Sequence, residues 1–438
     1  MRVLVVLAVL GGSFAFLSQD GMHPRGHARE GLLVAERPLP VYADDLEHPL
    51  NRLHAALFIA TLVPDEIGSA LPGERAAADE AFFAPKWYFG KRAGKPDDAA
   101  VFGGDVRFSP LQKLDGERAD ALRTLLATLQ TRAQVDAIVE LEAPLMRLLL
   151  QWDLLSMWWR CERDNTADDA TLLAMARAIE ALAQPRAVLA ALAAGTDELR
   201  RAHGAKDDAT PDTARPYFPA DLLAKATTFV EIDRNDMALF HAERSLRAVR
   251  AFVRVPAGRA AGETVVRAAA AAGKEGPLPE IPLGSEVALA LSLLAVDQDL
   301  AIVATPVVDE VRLRRITGAR ELRADNGSSR DGMSHWVYFR SRRASRDPDA
   351  AHAFRFVPDT TQAMFLEYGT LKHTVYFAQC ALCHRLVGGS NQTPGGITSL
   401  GRYAGARVCE DPGTRLHRAE TQAQTIGERL RARLRTDR

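Results

Sequence analysis

The 438-residue chain is 47% hydrophobic and 25% charged, and 55 Lys and Arg stand against 56 Asp and Glu for a formal net charge of -1. That near-neutral balance excludes a general nucleic-acid binder, and the length provides for two or three ordinary cores in a multi-domain globular protein. Four cysteines at this size are too few for a disulfide scaffold and read as site chemistry.

The first elements read as an export signal. Met1-Arg2 is a short basic region, Val3 to Leu10 is apolar, and Ser13-Phe14-Ala15 offers small residues suited to cleavage after Ala15. Gly11-Gly12 interrupts the apolar run, which falls short of the roughly twenty residues of a membrane span, so a cleaved signal peptide over residues 1–18 is expected rather than an anchor. No later stretch is long and apolar enough to cross a bilayer, and the expected compartment is the periplasm or cell envelope.

Residues 19–215 are predicted to form a helical domain. Leu53, Leu57, Ala60 and Thr61 lie on one helical stripe, and Leu122, Leu125, Leu126 and Leu129 form another after Asp115-Gly116. The run Ile138 to Arg160 is the most apolar, with a break or bend expected at Pro144, and its Trp152, Trp158 and Trp159 are read as packing residues rather than cofactor ligands. Thr166, Asp168 and Asp169 start the next helix with a cap and acidic first turn, and Gln184-Pro185 ends it. The polar stretch from His203 to Pro216 reads as a linker.

Residues 216–345 are predicted to form a β-rich domain. Leu246 to Val255 alternates, with Ala248, Arg250, Phe252 and Arg254 on one face; Glu286 to Val296, Leu300 to Ile316 and the stretch from His335 to Phe339 are further strands. Asp297-Gln298-Asp299 is a hairpin loop and Asn326-Gly327 a turn signal, whereas Ala268 to Gly276 reads as a loop or short helix.

Residues 346–438 hold the most informative motif. Thr360 to Gln379 has helical spacing and leads into Cys380-Ala381-Leu382-Cys383-His384, glycines mark the following loop, and Thr414 to Arg435 is a basic amphipathic tail helix. In an exported protein, C-x-x-C-H reads as a covalent haem c site: two thiols so spaced add to the vinyl groups of one porphyrin, and the next imidazole ligates iron.

This segment, with Phe377 ahead of the first Cys, resembles the attachment site of c-type cytochromes, over about sixty residues. The resemblance implies that Cys380 and Cys383 carry the thioethers, His384 is the proximal ligand, and Phe377 packs on the porphyrin edge. Pro394 and Leu400 would line the proximal face. Class I cytochromes use a downstream Met as the second ligand, but this chain has no Met after Met364. The sixth position is therefore open to Met364, His417, His373 or nothing; a thioether would raise the potential, a second imidazole would lower it, and an empty site would permit peroxide chemistry. Arg402, Arg385 and Arg407 are candidate propionate partners.

Two other readings use the same residues. Cys380, Cys383 and Cys409 with His384 or His417 would make a zinc site, although adjacent Cys383 and His384 rarely share one metal. Alternatively, Cys380 and Cys383 form a dithiol pair, and Cys161 and Cys409 are left to pair with each other. No P-loop, G-x-S-x-G or H-E-x-x-H motif supports phosphate or hydrolytic chemistry.

The sequence thus predicts an α+β protein: a helical N-terminal domain, a β-rich middle domain and a helical C-terminal haem-binding segment. Its expected function is electron transfer or haem-based redox chemistry with a redox protein partner or envelope complex. The alternatives are a zinc- or disulfide-stabilised interaction protein and a haem peroxidase-like enzyme.

Overall fold

The computed structural model describes residues 40–58, 60–62, 100–102, 114, 116–204, 216–224, 226–233, 246–272, 282–316, 333–347, 353–358, 364–368, 371–375, 407–409 and 412–435. The expected signal peptide, the 203–216 linker beyond Gly204, the Asn326-Gly327 turn and the C-x-x-C-H motif lie outside them.

Helix α1 (Pro49–Phe58) carries Leu53 and Leu57 but ends before Ala60 and Thr61, which belong not to the expected helical stripe but to a small antiparallel pair, β1 (Ala60–Leu62) and β2 (Ala100–Phe102). Helix α2 (Gly116–Leu126) continues into a 3-10 turn that buries Leu129, as the leucine stripe predicted. The short α3 (Arg132–Asp136) starts with a capping box, in which Thr131 accepts the Gln134 amide and Gln134 reciprocates.

Pro144 does not bend a helix; it begins α4 (Pro144–Asp164), where its missing N–H costs no bond. Helix α4 is apolar on nearly every side because it is central: Trp152 and Trp158 are fully buried, and Trp159 packs against the same core. Asn165, in the left-handed conformation, ends it. Asp168 then caps α5 (Asp169–Leu182) by accepting the Thr171 amide at 2.7 Å. The short α6 (Arg186–Ala191) and α7 (Thr196–His203) complete the helical layer.

The middle of the chain is a sheet built from β3 (Val230–Asp233), β4 (Arg247–Arg254), β5 (Glu286–Val296), β6 (Ile302–Ile316), β7 (Met333–Arg340) and β8 (Phe354–Pro358). These run as an antiparallel meander. Between β4 and β5 lies α8 (Arg259–Ala272), a longer helix than the alanine run alone suggested; its Val266 packs with Val230, Ile232, Ala251 and Val253. The β5–β6 loop is the expected one: Asp297 accepts the amides of Asp299 and Ala301 through one carboxylate oxygen.

After β8 the structure departs from the helix expected over Thr360 to Gln379. Strands β9 (Met364–Tyr368) and β10 (Leu371–Val375) form a separate hairpin. Tyr368 pairs with Leu371, leaving two connecting residues that start with Gly369, a tight-hairpin pattern, and the aromatic and branched residues around it favour strand over helix. The chain returns at β11 (Arg407–Val408), which pairs with β3 and makes the sheet order β11-β3-β4-β5-β6-β7-β8. The basic tail forms α9 (Pro412–Arg435), as expected.

The architecture is α+β. One face of the sheet is aromatic, with Phe252, Trp336, Tyr338 and Phe354 packed under Tyr217, Phe218 and Leu222. The far ends of β5 and β6 instead enter the helical core: Leu293 to Val296, Ile302 and Val303 pack with residues of α1, α2, α4 and α5. Helix α9 adds Ala419, Ala423, Ile426, Leu430 and Leu434 to that core. Among the described residues, no helix is long and apolar enough to cross a membrane.

Candidate functional site

The haem candidate is known in the structure by its flanks. Residues Phe377, Cys380, Cys383, His384, Arg385, Pro394, Leu400 and Arg402 lie outside the described residues. Upstream, Met364 opens β9 directly opposite Val375, the last residue of β10 before the motif; His373 sits opposite Leu366 on the same hairpin. Downstream, Arg407 is in β11 opposite Asp233, and His417 is in the first half of α9. The structure therefore brings Met364 and the entry to the motif together in register, and it anchors the exit from the segment on the sheet edge.

No disulfide joins Cys161 to Cys409. Cys161 is buried inside α4, where burial pushes its thiol above the usual range, while Cys409 follows β11 with its amide bound to the Glu231 carbonyl. Among the described residues, no group of three or more His, Cys, Asp or Glu is placed to hold a metal ion.

Among the described residues, a buried polar assembly that motif reading did not find lies at the seam between helices and sheet. Asp153 of α4 accepts the Tyr42 hydroxyl at 2.6 Å on one oxygen and Arg342 at 3.0 Å on the other. Arg342 also donates to Asp309 at 2.6 Å, and Asp309 pairs with Arg247, which in turn reaches Glu310 at 2.9 Å. Glu310 is also paired with Arg312. The carboxylates of Asp153, Asp309 and Glu310 and the Arg342 side chain are 1–2% exposed. The chain of pairs alternates in sign and sums to neutrality, the condition under which buried charges persist.

Sheet irregularity makes this possible. Leu291 pairs with Glu310 and Ser292 with Val308, so Asp309 is an extra residue on β6 at a register shift. In a regular strand Asp309 and Glu310 would point to opposite faces, but at the bulge both reach the Arg247 guanidinium. Val308 beside the bulge gives its N–H to Ala194 and takes Arg340 Nε on its carbonyl at 2.7 Å. Gly195, at φ +78°, leaves the space that Arg340 fills: a Cβ there would lie 1.8 Å from a guanidinium nitrogen. Burial pushes the Arg340 pKa down to about 10, still charged at neutral pH. Burial alone would lower Arg342 as well, but Asp153 and Asp309 hold it above its usual range.

The seam is further fixed by two neighbours of Asp153. Gln151 donates to the Val296 carbonyl at 2.8 Å and accepts its amide at 3.0 Å, and the Trp152 indole donates to Leu246 at 2.9 Å. The Arg247 and Arg342 guanidinium carbons lie 4.8 Å and 5.4 Å from the Trp152 ring.

A second cluster closes the opposite end of β5. Buried Glu286 accepts the Tyr217 hydroxyl at 2.7 Å and pairs with Arg254 at 2.6 Å, with Arg315 at 4.0 Å. Burial holds the Glu286 carboxyl above its ordinary value although both arginines and Tyr217 pull it down. The signal for the first cluster was present in the sequence as Asp309-Glu310 inside an apolar strand, Asp153 inside an apolar helix and the Arg340-Ser341-Arg342-Arg343 run.

No family model, curated protein or solved structure matches this chain.

Proposed function

We propose that this chain is an exported mono-haem c-type protein acting in electron transfer or haem-based redox chemistry, in the periplasm or cell envelope. The observation that carries the reading is the pentapeptide Cys380-Ala381-Leu382-Cys383-His384. Its donor set suits haem c: two thiols at thioether spacing and an imidazole beside the second. The leader-like N-terminus supports it, since covalent attachment takes place after export.

In this reading Cys380 and Cys383 would hold the group and His384 its iron, with Phe377 as an apolar cover and Arg402 as a partner for a propionate. Met364 and His417 are the candidates for the sixth position. The bound group would supply one-electron redox chemistry, and the helix-and-sheet body would serve as the docking surface for a redox protein partner.

The test is expression in a host that matures c-type cytochromes. A Soret band that stays with the polypeptide through denaturation, and is lost in Cys380→Ser and Cys383→Ser, is the expected result. Colourless protein carrying stoichiometric zinc would replace this reading with the metal-stabilised interaction protein.

A further inference from the structure

Residues 40–45 cross the seam as a strap rather than as a helix or strand. The amides of Val41 and Tyr42 both go to Asn51 Oδ1, at 2.8 and 2.7 Å, and Ala43 joins them at 3.3 Å. The Asn51 amide group returns a bond to the Ala43 carbonyl at 2.9 Å. One side chain from α1 thus does the work of a strand ladder. The strap then reaches both sides of the seam: the Tyr42 hydroxyl meets Asp153 of α4, and Asp44 meets Arg346, in the turn that carries Arg342, at 2.6 Å.

We propose that residues 40–45 form a latch that opens as a unit ahead of global unfolding, and that its opening loosens the Asp153–Arg342 seam between helices and sheet. The strap packs Val41 and Tyr42 into the helical core, but its backbone amides hang on the single Asn51 side chain rather than on a ladder, so it is held as one unit that one side chain can release. When Tyr42 leaves, Asp153 loses a charge-assisted bond and water gains access to a carboxylate that is otherwise 1% exposed. Coupling is reciprocal, so a weakened Asp153–Arg342 pair also releases the strap.

Hydrogen exchange read by mass spectrometry on the full chain tests this with Tyr42→Phe, which keeps the ring and removes the hydroxyl. The expected result is about tenfold faster exchange, the scale of one hydrogen bond to a charged group. It should appear together in peptides covering residues 41–45, 341–347 and the α4 turn around Asp153, with β5 residues 288–292 unchanged. Acceleration confined to 41–45, equal acceleration everywhere, or no acceleration overturns the proposal. Should Tyr42→Phe fail to fold, Asp44→Ala removes only the solvent-exposed pair, and it must show the same joint opening of strap and turn at a smaller factor of about two; uncoupled exchange in that variant overturns the proposal equally.

Discussion

Asp153 and Arg342, 189 positions apart, meet at 3.0 Å with 1% of either side chain exposed. The pair joins the central helix to the turn after β7, and it belongs to a chain of charges in which each member has a partner of opposite sign.

Removing one member leaves the others uncompensated. Arg342→Met is expected to cost about 3–5 kcal/mol, measured by urea unfolding, because Asp153 and Asp309 then stay buried with reduced compensation. The double variant Asp153→Asn, Arg342→Met is expected to lose less than the sum of the singles. Strict additivity would show that the two residues are energetically independent.

Gly195 and Gly116 both adopt positive φ, at +78° and +53°, but only Gly195 has a neighbour where a Cβ would go. Gly116→Ala is expected to cost about 1 kcal/mol from backbone strain alone. Gly195→Ala must also displace the Arg340 guanidinium, so thermal unfolding should show a clearly larger loss, beyond the roughly 1–3 kcal/mol of a strained residue.

Asp168 caps α5 and receives Arg123 at 2.9 Å. Asp168→Ala is expected to lower stability by about 1 kcal/mol in denaturant unfolding, the usual cost of a lost cap.

The pH dependence of stability should carry the mark of Glu286. Its carboxyl is held above its ordinary 4.5 by burial, against Arg254, Tyr217 and Arg315. The folded state therefore keeps a proton that the unfolded state has released, and the stability this group contributes falls as pH rises from 4.5 through the folded value. Asp221 acts in the opposite sense and lower down: burial would raise it, but Thr228 and Arg254 hold it below 3.8, so its contribution is lost only in stronger acid. In urea titrations, the stability of the native chain relative to Glu286→Gln should fall as pH rises above 4.5; a constant or growing difference contradicts the assignment.

The α+β arrangement was legible from periodicity. Strands β4 to β7 and helices α2, α5 and α9 fall where alternation, the second leucine stripe, the Asp168 cap and the basic amphipathic spacing placed them. The hairpin of β9 and β10 was misread because Met364, Phe365, Tyr368, Leu371 and Val375 satisfy a helical spacing, whereas the alternation of each short strand, Met364-Leu366-Tyr368 and Leu371-His373-Val375, spans only three positions. Asp309 and Glu310 could not be assigned as one site from sequence, because their shared direction depends on a bulge set by the pairing of β5 with β6. Tyr42 was equally hidden: its value comes from a carboxylate 111 positions away. The Cys380 to His384 motif lies outside the described residues, so its reading rests on the local spacing of its side chains in the sequence.

Helix α9 also constrains the order of assembly. Its Leu430 and Leu434 share one core with Leu50 and Leu53 of α1, and β11 completes the sheet beside β3. Contacts between such distant parts of the chain carry a large loop-closure cost, so the core stays unfinished until residues 412–435 arrive. During synthesis the apolar surface of α5, β4 and β6 on which α9 packs stays exposed to water or to a chaperone until then, and a stop codon placed before Pro412 should yield an aggregation-prone product rather than a smaller native one.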